Sequence, residues 1–201
     1  MDIKVVGIAG GSGAGKSTVC YKLVDDYPDQ YELINLDDYQ KKKTDSNLPT
    51  INGKINWDHP DIIDWQKLIR DIQTLKDGKT LTIDVWSHRS NPGYAKHGQM
   101  IPRTIYPAPV ILVEGYLALY DQELNKLYAK KYYLDLDDAT RNKRRDKNEV
   151  IDDPEYEHNV LLPMHKQFVG PTKQFADKVI DVSSMNVDEV CALFHNDIAE
   201  T

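Results

Sequence analysis

A glycine-rich string near the start of the chain limits its fold more than any other feature. Residues 10–18 read GGSGAGKST, which fits the pattern G-x-x-x-x-G-K-[ST]. A mainly apolar run, 3–9, precedes the string, and a stretch with helical spacing, 16–27, follows it. A buried strand, a glycine-rich turn and a helix in this order predict the first unit of an α/β fold.

The chemistry of this string favours binding of a nucleoside triphosphate. Its glycines let consecutive backbone N–H groups converge on phosphate oxygens, because side chains there would block the approach. The helix adds the positive end of its dipole, the Lys16 ammonium reaches the β and γ phosphates, and the Ser17 hydroxyl is offered to Mg²⁺. The predicted phosphate-binding residues are Gly10, Gly11, Ser12, Gly13, Ala14, Gly15, Lys16, Ser17 and Thr18. The string does not reveal what happens to the γ-phosphate.

Short apolar runs alternate with amphipathic stretches along the rest of the chain. This alternation is typical of a central, mostly parallel sheet covered by helices, and together with the string at 10–18 it predicts a three-layer α/β/α fold of the P-loop NTPase type. At 201 residues and 40% hydrophobic, the chain suits one domain, 1–201. The predicted strands are 3–9, 31–36, 81–86, 110–113, 131–136 and 179–182, and the predicted helices are 16–27, 61–75 and 188–198.

Charge and cysteine content exclude several classes of function. The net charge is −7, which argues against a protein that binds a nucleic-acid backbone through a basic stripe. No apolar run reaches the length of about 18 residues that crosses a bilayer, and no leader pattern opens the chain, so we expect a cytoplasmic protein. Cys20 and Cys191 match no metal or disulfide spacing, and we interpret both as buried thiols in a reducing compartment.

Two polar segments interrupt the alternation of strands and helices. Residues 40–60 show little periodicity and predict a loop over one edge of the sheet, on the substrate side. Residues 141–155 are densely charged and predict a lid inserted into the domain.

Carboxylates follow two of the predicted strands, and parallel strands end at one shared edge of a sheet. Asp37 and Asp38 follow the run 31–36, and Glu114 follows the run 110–113. Asp37 is the candidate general base for an acceptor hydroxyl, while Glu114, Ser17 and Asp37 are the candidate Mg²⁺ contacts. The ordinary alternatives are a helix cap or turn former for Asp37 and a structural role for Glu114.

Other nucleotide-binding classes fit less well than a small-molecule kinase. A GTP-dependent switch needs an N-K-x-D string, and the nearest string, NKLY at 125–128, lacks the aspartate. A mechanical or DNA-linked ATPase is normally larger or basic, whereas this chain is short and acidic.

Five strings together resemble the uridine kinase branch of P-loop kinases, which is related to phosphoribulokinase and nicotinamide riboside kinase. They are residues 10–18, LDDY at 36–39, NWDHPD at 56–61, VEG at 113–115 and PTKQFAD at 171–177. The resemblance implies ATP-dependent phosphorylation of a ribonucleoside 5′-hydroxyl, with uridine or cytidine as the first candidates, and leaves ATP or GTP open as the donor.

The resemblance also implies roles for individual residues. Asp37 becomes the base for the 5′-hydroxyl, and Glu114 becomes a Mg²⁺ contact beside Ser17. Asp58 becomes the acceptor for the ribose 2′ and 3′ hydroxyls, which suits the two oxygens of a carboxylate. Trp57 becomes the aromatic residue near the sugar or base, with an ordinary core tryptophan as the alternative.

In the lid, Arg144 and Arg145 match the basic pair that clamps phosphate in the family, and Lys16 and Arg145 are expected to assist catalysis with Asp37. A solvated helix face is the ordinary alternative for such a run. Lys173 lies in the stretch that resembles the family's adenine-lining loop.

The match weakens in the lid and in the base-reading segment. After Arg145 the second arginine-rich part of the uridine kinase lid is missing, and DDPEY at 152–156 instead resembles nicotinamide riboside kinases. Trp86 is expected to stack on a base and His88 to bond its edge, although a lone histidine is more often structural. The alternatives left open are therefore a nicotinamide riboside kinase, another small-molecule kinase of the family, or a nucleotide-binding regulatory module that transfers no phosphate.

The resemblance also bears on binding partners. The expected partner is a small nucleoside, and neither a nucleic acid nor a membrane is expected. Family members are often homo-oligomers, so self-association is possible for this chain.

Overall fold

Five parallel strands form the central sheet of the computed structural model, which describes residues 2–51, 53–86, 100–147 and 154–200. The strands are, in chain order, β1 (Lys4–Gly10), β2 (Tyr31–Asn35), β3 (Thr50–Ile51), β4 (Lys54–Ile55), β5 (Leu81–Val85), β6 (Ile101–Ile105), β7 (Val110–Glu114), β8 (Lys130–Asp135) and β9 (Lys178–Asp181). Across the central sheet their order is β2-β7-β1-β8-β9. Because β1 lies in the middle, the loop that follows it opens at the centre of the sheet's carboxyl edge.

Helices cover both faces of this sheet. In the described ranges they are α1 (Lys16–Asp26), α2 (Trp65–Lys76), α3 (Gln122–Asn125), α4 (Asp138–Lys147), α5 (154–175) and α6 (Val187–Ala199), together with single turns at Leu36–Tyr39 and Pro60–Ile62. Side chains alternate along each strand, so Val5 packs in the apolar cluster that contains Ile72 of α2. The next residue, Val6, packs in the cluster that contains Cys20 of α1 and Phe194 of α6. The predicted three-layer α/β/α fold is confirmed.

Capping residues explain where two of the predicted helices begin. Asn186 accepts a hydrogen bond from the Glu189 N–H, and the Glu189 carboxylate accepts one from the Asn186 N–H, so α6 begins with a capping box. The Asp64 carboxylate accepts from the Lys67 N–H and starts α2. The predicted helix 61–75 was therefore placed too early, because Asp61 belongs to the separate turn before it.

The helical segment α5 contains two wide turns around a proline. Hydrogen bonds from residue i to i+5 occur at Glu157–Leu161 and His165–Val169, on either side of the short α-helical piece Leu162–Met164. Pro163 cannot donate a backbone hydrogen bond and its ring crowds the preceding turn, and wide turns are a common way to accommodate such a residue.

The predicted strand 81–86 is wrong in its placement. Its residues form β5, which pairs antiparallel with β6 in a separate two-stranded sheet instead of joining the central sheet. Arg103 of β6 bonds the Glu32 carboxylate and the Leu33 carbonyl, which fixes this sheet against the outer strand β2. One face of β5 is exposed at Thr82 and Asp84, as expected of a strand outside the buried sheet.

The two predicted polar segments contain more regular structure than expected. The segment 40–60 includes the hairpin β3–β4. The segment 141–155 is helical to Lys147 and again from Pro154 onward. It is also not a solvated face throughout, because Arg141 and Arg145 are buried.

Both cysteines are buried free thiols, as predicted. Within the described ranges every helix is too short or too polar to cross a lipid bilayer.

Candidate active site

The glycine-rich string forms the loop between β1 and α1, as its pattern predicts. Gly13 and Gly15 have positive backbone angles, with φ of 85° and 94°, a region that residues with a Cβ rarely adopt. A Cβ on Gly13 would also lie 2.6 Å from the Arg141 carbonyl oxygen. The loop is therefore held in a conformation that only glycine tolerates at these positions. Within it, Gly10, Gly11, Ala14 and Lys16 are buried, Ser12, Gly13 and Gly15 are half-buried, and Ser17 and Thr18 are exposed.

Arg141 supports this loop from behind, a role that the sequence did not suggest. Its side chain is fully buried, its Nη1 donates to the Ser12 carbonyl at 3.2 Å and its Nε donates to the Leu136 carbonyl at 3.2 Å. The Asp138 carboxylate accepts a third hydrogen bond from Nη2. Helix α4 thus fixes the backbone of the phosphate loop.

Lys16 occupies the position expected of the phosphate-binding lysine. It is buried, and its Nζ donates to the Gly11 carbonyl of the same loop at 3.2 Å. Burial lowers the pKa of Lys16, while the carboxylates of Glu114 and Asp37 oppose this effect. The ammonium is therefore stabilised by two carboxylates that come from other strand ends.

Glu114 and Ser17 form the centre of the predicted cation site. Glu114 ends β7, paired in register with Ile8 of β1 and Asn35 of β2. Its Oε1 accepts a hydrogen bond from the Ser17 hydroxyl at 2.9 Å. Burial raises the pKa of Glu114 to about 7, Lys16 opposes the rise, and Asp37 adds to it.

These oxygens fit a Mg²⁺ ion that is shared with phosphates. Among the residues that the structure describes, no group of three or more His, Cys, Asp and Glu side chains is arranged to hold a metal alone. Mg²⁺ in phosphoryl-transfer sites is typically held by one or two protein oxygens, with phosphates and water completing the shell. Burial raises the pKa of Glu114 despite the nearby Lys16 ammonium, and a bound divalent cation would add positive charge that favours the ionised carboxylate.

Replacing Glu114 with glutamine should remove a pH dependence of folding in the ligand-free protein. With its pKa raised to about 7, the folded protein keeps a proton that the unfolded chain loses near pH 4.5. The contribution of Glu114 to the free energy of unfolding is fully present below about pH 4.5. It falls as the pH rises to about 7, by up to about 1.4 kcal/mol per pH unit. Urea unfolding between pH 4.5 and 7 should therefore show a steeper decline for the unchanged protein than for Glu114→Gln.

The same measurement on Glu123→Gln, an exposed glutamate of α3, controls for the loss of one carboxylate. Equal slopes for the unchanged protein and Glu114→Gln would show that Glu114 is ionised without a cation.

Asp37 and Asp38 differ in their surroundings. The Asn35 side chain accepts from the Asp37 N–H at 3.1 Å and begins the single turn that carries both residues. The Asp37 side chain is solvent-exposed, whereas Asp38 is buried and accepts a hydrogen bond from the Trp86 backbone N–H. Desolvation of the carboxylate by neighbouring groups raises the pKa of Asp37, and the positive charge of Lys16 opposes the rise.

Asp58 lies near Asp37 but is bonded to another part of the chain. Its Oδ2 accepts a hydrogen bond from the Tyr156 hydroxyl of α5 at 2.8 Å. Burial raises the pKa of Asp58, and the charges of Asp37 and Arg145 also act on it. Asp37, Asp58 and Arg145 therefore share one region.

Trp57 is half-buried and held through its backbone. Its N–H donates to the Tyr156 hydroxyl at 3.1 Å, and its carbonyl accepts from the Tyr116 hydroxyl at 2.9 Å. The Lys43 ammonium lies 5.9 Å from the centre of its ring. Its indole also packs against the apolar core, so the core alternative describes part of its environment.

The two arginines that the sequence predicts to clamp phosphate lie on α4. Arg145 is buried, and its Nη2 donates to Asn142 at 2.6 Å and to the Glu157 carboxylate at 2.9 Å. Its Nε and Nη1 are buried and have no hydrogen-bond partner in the described part of the chain. Arg144 is half-buried on the same helix. The unpartnered donors of Arg145 are suited to an anion.

The structure connects the remaining predicted residues less closely to the phosphate loop. The Lys173 ammonium bonds the Asp135 carboxylate at the carboxyl end of β8, so its binding to a nucleotide stays a prediction. Trp86 is half-buried and reaches the site through its N–H on Asp38. His88 lies outside the described residues.

Two cavities differ in their relation to these residues. A cavity of about 10 Å³ lies among Ser12 and Asp58 on one side and Leu161, Met164 and His165 of α5 on the other. This volume is much smaller than a nucleoside. A larger groove of about 440 Å³ is lined by residues 120–123 and by Gln167, Phe168, Pro171, Thr172 and Phe175, none of which is a predicted site residue.

The chain is similar to proteins of one known family over most of its length. The model of the "Phosphoribulokinase / Uridine kinase family" matches residues 5–188. A uridine kinase of Streptococcus agalactiae is 34% identical, with 91% of this chain and 88% of the relative covered. Uridine-cytidine kinase A of Dictyostelium discoideum is 30% identical over 91% of this chain, which spans only 37% of that longer protein. A solved structure from Bacillus stearothermophilus, described as a possible uridine kinase, shares the fold with a TM-score of 0.61 at 20% identity, covering 90% of both chains.

Proposed function

The chain belongs to the phosphoribulokinase/uridine kinase family, and on this basis we propose that it phosphorylates the 5′-hydroxyl of a ribonucleoside with ATP, uridine and cytidine being the acceptors. The observation that carries the proposal is the Ser17–Glu114 hydrogen bond beside Lys16, with Asp37 close enough to raise the pKa of the same lysine. These groups combine a phosphate-binding loop, a cation site and a base at one sheet edge. Relatives named uridine kinase cover most of this chain and support the acceptor class.

In the proposed reaction the chain mainly positions groups and neutralises charge. The loop N–H groups and Lys16 bind the triphosphate. Ser17 and Glu114 would hold Mg²⁺, with Asp37 near them, and the ion supplies positive charge against the phosphate oxygens when bound. Asp37 takes the proton of the 5′-hydroxyl as its oxygen bonds to the γ-phosphorus and the bond to the ADP oxygen breaks.

The acceptor side of the proposed site consists of Asp58, Trp57 and the clamp on α4. Asp58 accepts from the ribose hydroxyls in place of the Tyr156 hydroxyl that it binds in this structure. Arg145 uses its unpartnered donors on the phosphates, with Arg144 beside it. Trp86 and His88 remain the candidates for base recognition, and Lys173 remains a candidate for the adenine side.

Replacing Asp58 with asparagine should raise KM for uridine about tenfold or more and change kcat much less. The amide keeps the shape of the side chain but loses a charge-assisted acceptor for the ribose diol. Steady-state kinetics with uridine and with 2′,3′-dideoxyuridine test this, because the dideoxy compound should show little change in KM. Asp61→Asn, at an exposed position three residues later, is the matched control. An unchanged KM for uridine would remove the ribose assignment.

Release of ADP measured against a panel of acceptors tests the function as a whole. The panel contains uridine, cytidine, nicotinamide riboside, a sugar phosphate and a sample without acceptor. We expect uridine and cytidine to be fastest. A higher rate with nicotinamide riboside would transfer the proposal to the acceptor that the string at 152–156 suggests. Slow hydrolysis alone, with every acceptor, would favour a binding module and end the kinase proposal.

The proposal extends to the setting of the enzyme. We propose a single kinase domain over 1–201, with the lid at 141–155 and the substrate-side loop at 40–60. It acts on a small molecule in the cytoplasm and binds neither a nucleic acid nor a membrane. It associates with further copies of itself. Its acidic net charge of −7 supports the small-molecule partner. Light scattering of the purified chain measures the association, and replacing ATP with GTP in the panel measures donor preference.

A further inference from the structure

His165 lies between the phosphate loop and the carboxylate assigned to ribose. It belongs to the second wide turn of α5, His165–Val169. Its side chain lines the cavity of about 10 Å³ together with Ser12 of the phosphate loop and Asp58. None of the roles described above uses this histidine, although it lines one cavity with a residue of the phosphate loop and with Asp58.

The imidazole of His165 is neutral at pH 7, and more cationic than anionic side chains act on its pKa. Burial lowers the pKa of His165 to about 4, and Arg141, Lys16 and Arg145 act in the same direction while Asp138 opposes them. Three cations that come from α1 and α4 therefore converge on the space around this ring. A site of this kind attracts an anion, and a neutral imidazole can still donate one hydrogen bond to it.

One nitrogen of the ring has no partner. The Nδ1 atom of His165 is buried and makes no hydrogen bond with any residue that the structure describes. Buried polar atoms are nearly always paired in native proteins, so an unpaired one beside a ligand site points to a group that arrives with the ligand. The cavity is large enough for about one water molecule, which is the competing explanation.

We propose that His165 is a further substrate-contacting residue, whose Nδ1–H donates a hydrogen bond to an oxygen of the γ-phosphoryl group. The inference rests on the proposed function only for the identity of the donor as a nucleoside triphosphate. The imidazole stays neutral throughout, and the proton of the acceptor hydroxyl still goes to Asp37. His165 therefore adds a donor on the side of the phosphoryl group that faces α5, opposite the loop.

Two substitutions separate the hydrogen bond from the packing of the ring. His165→Phe keeps an aromatic ring of similar size but has no donor. His165→Asn keeps an N–H donor near the position of Nδ1. Calorimetry with ATP and with ADP, in the presence of Mg²⁺ and without an acceptor, compares a ligand that has the γ-phosphoryl group with one that lacks it.

We expect His165→Phe to weaken ATP binding about tenfold and ADP binding less than twofold, since a hydrogen bond to a charged oxygen is lost only with ATP. His165→Asn should recover most of the ATP affinity. Equal losses for both nucleotides, or none, would overturn the proposal; no loss is also the result expected if a water molecule alone pairs with Nδ1.

A spectroscopic measurement on the unchanged protein does not depend on the folding of variants. In a sample with ¹⁵N-labelled histidine, the Nδ1 signal of His165 should shift on addition of ATP and much less on addition of ADP. Equal shifts with both nucleotides would contradict the assignment. Because no acceptor is present, these results stand apart from the acceptor panel: a chain that phosphorylates no nucleoside can still show the ATP-specific response of His165.

Discussion

Asp37→Asn is expected to lower kcat about a thousandfold while ATP binding stays within a few-fold of the unchanged protein. The magnitude follows from the loss of a positioned general base, which typically contributes a factor of about 10² to 10⁴. The amide has nearly the shape of the carboxylate and retains the turn at Leu36–Tyr39, which is started by the Asn35 side chain and the backbone N–H of residue 37. Single-turnover phosphorylation of uridine and calorimetry with ATP measure the two quantities separately.

The matched control is Asp45→Asn, an exposed aspartate in the segment 40–60, which should retain full activity. Full turnover in Asp37→Asn would show that the base lies elsewhere in the site. A parallel loss of ATP affinity and kcat would instead assign Asp37 mainly to the cation and the triphosphate.

Arg141→Met is expected to destabilise the protein by about 3 kcal/mol and to weaken ATP binding more than tenfold. The fully buried guanidinium makes three hydrogen bonds, and methionine leaves the Ser12 and Leu136 carbonyls without a partner. Each unpaired buried group costs about 1 to 3 kcal/mol of stability. The total is lowered because water can reach the half-exposed Asp138 carboxylate and because the surrounding structure relaxes. Since Ser12 belongs to the phosphate loop, disorder there should appear as a loss of affinity. Urea unfolding and calorimetry with ADP measure both effects.

Lys143→Met tests whether the effect belongs to this position, because Lys143 is an exposed cation on the same helix. It should change the free energy of unfolding by less than about 0.5 kcal/mol. A stable Arg141→Met variant that binds ADP normally would mean that the glycines alone hold the loop.

The arrangement around the phosphate loop could be predicted because each step follows from local pattern. The string 10–18 fixes its own backbone through its glycines, and the flanking strand and helix are marked by hydrophobic period. Glu114 could be added because parallel strands end at one edge, and the structure places it opposite Ser17.

The position of β5 in a separate sheet could not be predicted from the sequence pattern. An apolar run indicates a strand but does not identify the strand beside it. Here the alternation of exposed Thr82 and Asp84 with buried Ile83 and Val85 was the available signal, since period-two exposure is typical of a strand with one solvent face.

Support from distant residues was also outside the reach of sequence patterns. Arg141 bonds Ser12 across 129 positions, and Tyr156 bonds Asp58 across 98. Nothing in the spacing of a charged run says which arginine is buried, because burial depends on carbonyls supplied by another element. The sequence did not single out His165 for the same reason, because its unpaired Nδ1 and its cavity beside Ser12 and Asp58 depend on residues distant along the chain.

Tyr156 and Glu157 give the ligand-free protein groups that resemble those of its proposed ligands. A phenol hydroxyl sits on the Asp58 carboxylate, where a sugar hydroxyl is proposed, and a carboxylate sits on Arg145, where a phosphate is proposed. Each ligand group then replaces an internal hydrogen bond of a similar kind. The contribution to the free energy of binding is therefore only the difference between two similar hydrogen bonds. This arrangement lowers the affinity for the ligands but raises the specificity. A molecule that supplies only one of the two groups can replace only one of the two internal contacts, and it therefore binds weakly.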